Sequence, residues 1–201
     1  MKKLIAIILF AIISISAFTY ALWGSIKIST CETLSYNNEV IRDTDCVWQY
    51  LEANKNFDYF DESQDRGSLR NKISDLVGLK FYQYKEYDRL GGWGLTQFGL
   101  RKISVVKGLN INNYIDTFAH EAIHLKYYNS NERWTTYKTF VTLYESGDKE
   151  LQQCAINWAY QYVGWYTIDS DGNSMVRQTP NFEYDPAYYI IHYLRGVLYS
   201  E

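Results

Sequence analysis

Two histidines and a glutamate, His120, Glu121 and His124, stand in the order His-Glu-x-x-His within the run TFAHEAIHL of residues 117–125. On a helix, imidazoles four residues apart share a face, with Cβ atoms roughly 6 Å apart, close enough to hold one metal ion. A carboxylate directly after the first histidine can then reach a water in an open position on that ion. The spacing is the one in which two histidines bind zinc and the glutamate serves as general base, so the chemistry it points to is metal-assisted hydrolysis. Three histidines are present in all, and two of them occupy this pattern. Ala119, Ala122, Ile123 and Leu125 keep charge away from the metal face.

A catalytic zinc takes three protein ligands and leaves a fourth position to water. The sequence offers three candidates for the third donor. Glu132 leads, because it opens the segment that doubles back after Asn129-Ser130-Asn131. At about 1.5 Å per residue it starts one to two turns nearer the bend than the metal, so it reaches only if the motif helix ends early, near Lys126. The same residue could instead complete a capping box with Asn129 or favour a helix N-terminus. Glu145 overshoots toward the far end and also reads as a solvated helix-end residue. His192 sits among Tyr188, Tyr189, Ile190 and Ile191, where a lone histidine is commonly a satisfied core or boundary residue.

Periodicity and turn residues place these groups on elements. A short capped helix is predicted over 47–54, and an amphipathic helix over 68–77, ended by Gly78. Alternation predicts a half-buried strand over 79–87. A glycine turn at 91–94 leads into a short extended piece over 95–98, and 101–107 is a further β-rich run. Asn112 or Asn113 is expected to cap the motif helix, which spans about 114–127. Helices follow over 132–144 and 149–163, then a turn at Gly172-Asn173. The last helix covers 187–199, with Pro186 in its first turn. The order predicts an α+β fold in which helices dominate and a small, mostly antiparallel sheet precedes the motif helix.

The chain opens with Met1-Lys2-Lys3 and continues as an uncharged, mostly apolar run over 4–23. Residues 1–23 read as a signal peptide or an N-terminal membrane anchor, since the run is close to the ~20 residues that span a bilayer. By the positive-inside rule either one places residues 24–201, the length of one ordinary domain, outside the cytoplasm. The formal net charge of −3 becomes −5 once Lys2 and Lys3 are set aside, and no Lys/Arg cluster is present, which excludes nucleic acid as a natural partner. Twenty tyrosines and six tryptophans suit a core or cleft with apolar walls and polar tips. In an oxidising compartment Cys31 and Cys46 could close a short loop worth roughly 3 kcal/mol, while Cys154 lies on a helical apolar face and reads as a buried thiol.

The run from Thr117 to Leu125 resembles the zincin metallopeptidases, with a Thr three residues before the first His and uncharged neighbours around the pair. Lys126 departs from that pattern, where the family has an apolar residue. The resemblance implies a minimal zincin-like domain with His120 and His124 as zinc ligands and Glu121 as the base that activates a zinc-bound water. It implies hydrolysis of peptide or protein substrates, and it assigns the β-rich run 101–107 as the edge strand that pairs with extended substrate. Its gluzincin branch carries a Glu ligand on the following helix, which favours Glu132, although the separation from His124 is shorter than in that branch. The metzincin position six residues after His124 holds Ser130 rather than a histidine. Tyr137, Tyr189 and His192 are the candidate oxyanion donors. The competing expectation is a zinc-stabilised, non-catalytic binding module outside the cytoplasm.

Overall fold

A computed structural model describes residues 39–167 and 186–199, with side chains described over 47–163 and 186–198. The apolar run 1–23, Cys31, the Cys46 side chain and the Gly172-Asn173 turn lie outside the described residues. Helix α1 (Glu39–Asn54) is followed by α2 (Arg66–Val77), strands β1 (Gln83–Tyr87), β2 (Gly94–Gln97) and β3 (Lys102–Val106), then α3 (Ile111–Tyr127), α4 (Glu132–Tyr144), α5 (Lys149–Thr167) and α6 (Pro186–Tyr199). The fold is α+β with helices dominant. Among the described residues no helix is long and apolar enough to cross a membrane.

Local chemistry sets the helix boundaries. The Asp65 carboxylate accepts from the amides of Gly67 at 2.9 Å and Ser68 at 3.2 Å, and so starts α2 ahead of the predicted residue 68. Gly78, at φ +68°, ends it. The cap of α3 is Asn110, whose side chain accepts from the Asn113 amide at 2.8 Å. Neither Asn112 nor Asn113 caps, because the helix begins earlier. Asn112 is buried and its side-chain oxygen accepts from Asn157 Nδ2 at 3.3 Å, which ties α3 to α5.

The motif helix α3 runs through the centre of the molecule. It buries Ile111, Tyr114, Ile115, Phe118, Ala119, Ala122, Ile123 and Leu125, and it packs against α2, α4, α5 and the sheet. Helices α5 and α6 close the core from the other side with Leu151, Ala155, Ile190 and Leu194.

The sheet has the order β1-β3-β2 and is mixed rather than mostly antiparallel. β1 runs parallel to β3, pairing Gln83 with Lys102 and Tyr87 with Val106, while β2 runs antiparallel, pairing Gly94 with Val105 and Gln97 with Lys102. β3 is therefore the central strand, and the run 101–107 cannot be an edge. Ile103, Ser104 and Val105 are consecutively buried, as a strand covered on both faces requires. The two edges are β1 and β2; β2 packs along α3, and β1 meets it through the Tyr84 ring on Phe118, centroids 5.8 Å apart. β1 is shorter than its predicted 79–87 span because Phe81 takes a left-handed conformation at φ +56°, which interrupts the extended chain.

Candidate metal centre

His120 and His124 lie one turn apart on α3, and their Nε2 atoms approach to 2.9 Å. Glu132 is the first residue of α4. Its Oε2 lies 3.0 Å from His120 Nε2 and 3.3 Å from His124 Nε2. The turn between the helices makes this reach possible. Tyr128 caps α3 in the left-handed conformation at φ +50° and reverses the chain at once. Asn131 then caps α4 by accepting from the Trp134 amide at 3.1 Å. With Asn131 in the capping role, the Glu132 carboxylate is left to point back at the imidazoles.

These three donors form the one His/Cys/Asp/Glu group of metal-binding dimensions among the described residues. Two nitrogens and a carboxylate oxygen are a donor set suited to zinc. Zinc–ligand distances of about 2.0–2.2 Å in a tetrahedral arrangement call for ligand atoms about 3.4 Å apart. The observed edges of 2.9, 3.0 and 3.3 Å fall only slightly short of that, so small side-chain shifts suffice. Without a cation, lone pairs of three neighbouring atoms would face one another, and protons or a metal must relieve that.

The protein also fixes one tautomer. His124 Nδ1–H donates to the Asn129 carbonyl, with the Thr135 hydroxyl 3.2 Å away. That leaves His124 Nε2 bare and directed at the donor group, the second-sphere arrangement common to metal-binding histidines. Burial, and then the neighbouring His124, lower the pKa of His120, so it stays neutral and able to ligate to a lower pH than a free imidazole. Desolvation pushes the Glu132 carboxyl up, but hydrogen bonds and charge from His120 and His124 outweigh it and hold Glu132 below its ordinary value.

Glu121 lies in the same small pocket, lined with Gly94, Leu95, Thr96, Phe98, His124, Ser130 and Glu132. Its Oε2 accepts from the Thr96 hydroxyl on β2 at 2.6 Å. Burial raises its pKa, and the Thr96 hydrogen bond opposes part of that rise. Strand β2 crosses α3 so closely here that a Cβ on Gly94 would meet Glu121 Cγ and Oε1 at 2.6 Å and Thr117 Cγ2 at 2.8 Å. Neither Gly94 nor Thr96 stands out in the sequence as part of a site. A glycine at a strand entrance was the available signal for close backbone approach.

The remaining candidates lie elsewhere. Glu145 follows α4 and accepts from Tyr193 Oη at 2.7 Å. His192 is exposed on α6, with its ring 4.2 Å from that of Tyr188. Neither belongs to the three-donor group. Tyr137 and Tyr189 are neighbours, their rings 5.9 Å apart, and they line a separate cleft with Asn131, Arg133 and Trp134. None of the three oxyanion candidates lines the pocket that holds Glu121. Cys154 is a buried thiol that donates to the Asn112 carbonyl at 3.3 Å, as its apolar helix face predicts. Comparison with protein families, with characterised proteins and with solved structures returned no match for this chain.

Proposed function

We propose that this protein is a zinc-dependent peptidase that hydrolyses peptide bonds outside the cytoplasm. The observation that carries this reading is the placement of Glu121 in one pocket with His124 and Glu132, two of the three clustered donors, the third being His120. His120 Nε2, His124 Nε2 and Glu132 Oε2 would hold the ion. Bound zinc lowers the pKa of a water in its open position toward ~7 and polarises a carbonyl oxygen. Glu121 takes a proton from the attacking water at its carboxylate and delivers it to the leaving amine. Burial brings the carboxyl nearer the pH at which it must both take and give that proton. Thr96 fixes the direction from which the base acts.

Substrate geometry follows from the sheet. β2 is an edge strand, it contributes Gly94, Leu95 and Thr96 to the pocket, and β3 pairs with only one of its sides. An extended peptide added along the free side would bring its backbone past Glu121. The extracytoplasmic setting rests on the two lysines and the apolar run at the N-terminus.

The test is zinc content and cleavage by the full chain in mild detergent. Stoichiometric zinc, with hydrolysis of an unfolded protein that phenanthroline stops and zinc restores, supports the peptidase. Stoichiometric zinc with no cleavage of any peptide library selects the non-catalytic binding module instead.

A further inference from the structure

Three non-glycine residues among those described adopt the left-handed conformation: Phe81 at φ +56°, Arg101 at +46° and Tyr128 at +50°. That region is unfavourable for residues with a Cβ and persists where the surroundings over-determine it. All three meet at one side chain. Arg101 Nε donates to the Phe81 carbonyl at 3.0 Å, Nη2 to the Lys80 carbonyl at 2.9 Å and Nη1 to Tyr128 Oη at 2.9 Å. The Tyr128 ring is also stacked on Phe98, with centroids 5.9 Å apart, and Phe98 lines the pocket of Glu121 and Glu132.

Tyr128 is the residue at which the motif helix turns into the segment that carries Glu132. Its amide and that of Asn129 both donate to the His124 carbonyl, Asn129 at 3.2 Å. The left-handed turn brings the Asn129 carbonyl back onto His124 Nδ1–H. The Asn129 side chain then accepts from the Asn131 amide at 2.9 Å, and Asn131 caps the helix that begins with Glu132. An unbroken set of contacts thus runs from the Arg101 guanidinium to both sides of the donor group.

We propose that Arg101 is a positioning residue for the metal centre. By pinning Tyr128 in its strained conformation it keeps the Asn129 carbonyl on His124 Nδ1, which leaves Nε2 bare for the ion and sets the origin of α4 under Glu132. This rests on the reading of His120, His124 and Glu132 as metal ligands, and it adds a residue that touches neither the ion nor the substrate. A partner held directly on a metal-binding histidine, here the Asn129 carbonyl, is worth about 10–100-fold in metal affinity, and Arg101 acts through it.

The experiment measures zinc affinity of the full chain by chelator competition, together with the His124 tautomer by long-range proton–nitrogen NMR, for which the chain has only three histidines to assign. Arg101→Ala is expected to weaken zinc binding about tenfold, the lower end of the effect of losing a direct partner of the histidine, and to spread the His124 proton over both ring nitrogens. Tyr128→Phe removes only the acceptor of the Nη1 bond, keeps the ring on Phe98, and is expected to act in the same direction to a smaller extent. It serves as the measured variant if Arg101→Ala does not fold. Glycine occupies the left-handed region without strain, so Tyr128→Gly in the Arg101→Ala background should recover most of the lost affinity. Unchanged affinity and tautomer in a folded Arg101 or Tyr128 variant overturn the proposal, as does failure of the glycine rescue. Absence of zinc binding in the unsubstituted protein overturns the metal-site reading itself.

Discussion

The Thr96 hydroxyl on the edge strand donates to Glu121 Oε2 at 2.6 Å and lies 2.9 Å from the Glu121 carbonyl oxygen, so one short side chain ties the Glu121 carboxylate to both its own helix and the sheet. Burial raises the Glu121 pKa and Thr96 holds it down. Thr96→Val removes the hydroxyl at nearly constant shape, which pushes the carboxyl further up. The acid limb of the kcat/KM profile is then expected to move to higher pH. Loss of activity should be greatest on the acid side of the profile and should fade on the alkaline side, where the carboxylate is ionised in either form. A uniform loss across the profile would show that Thr96 does not act through the ionisation of Glu121.

Gly94 makes room for the Glu121 side chain. Gly94→Ala puts a methyl 2.6 Å from Glu121 Cγ and Oε1, and neither the strand backbone nor the central helix can retreat cheaply. Overpacking of this kind costs about 1–3 kcal/mol of stability. Activity is expected to fall by more than about tenfold through displacement of Glu121, with zinc content retained, because the nearest atoms the methyl would meet belong to Glu121 and Thr117 and not to His120, His124 or Glu132. Full activity in Gly94→Ala would mean that the base tolerates displacement.

Glu132→Ala removes one of the three donors and should strip zinc at concentrations that saturate the parent protein. Zinc at about a thousandfold excess over its Kd stabilises a folded protein by about 4 kcal/mol, or roughly 10 °C in Tm for a domain of this size. That upward shift on adding zinc is expected for the parent and absent for Glu132→Ala in a thermal melt. An equal zinc shift in both proteins would remove Glu132 from the site.

How far the site was legible follows from the range of the interactions involved. The histidine pair and Glu121 share one helix, and helical spacing alone puts them on one face. Glu132 was the leading candidate for the third donor, but its reach depends on a left-handed turn at Tyr128, a residue type that gives no sign of that conformation. The sheet depends on pairings between distant segments. The β-rich composition of 101–107 signals a strand, but its central place depends on β1 pairing with it in parallel, and no local pattern encodes that partner. The edge role therefore moved from 101–107 to Gly94–Gln97, and with it went the two residues that contact Glu121. The cap of the motif helix moved to Asn110 because Asn112 is used across the α3–α5 interface, another non-local demand.

Asp116, half-buried on the motif helix, has its carboxyl pushed up to about 7 by desolvation. Between the ordinary carboxylate value near ~4 and about 7 the folded protein keeps a proton that the unfolded chain has released, so this residue makes stability fall as pH rises through that window. Asp116→Asn cannot ionise and should exceed the parent in stability above about pH 7, by an amount of order 1 kcal/mol once the solvent-facing part of the side chain is allowed for. No such gain is expected at about pH 4, the lower end of that window. Urea denaturation at the two ends of the window checks this, and an equal difference at both ends would show that Asp116 does not titrate there.

The most direct measurement compares Glu121→Gln with the parent for peptide hydrolysis and zinc content on the same preparations. The amide keeps the size of the side chain and can still meet Thr96, but it cannot accept the proton of an attacking water. Hydrolysis is expected to fall by at least about 10²-fold, the scale of a lost general base, while zinc remains stoichiometric. Hydrolysis by Glu121→Gln at the parent rate, with zinc bound, would contradict the assignment of Glu121 as the base and the peptidase mechanism built on it.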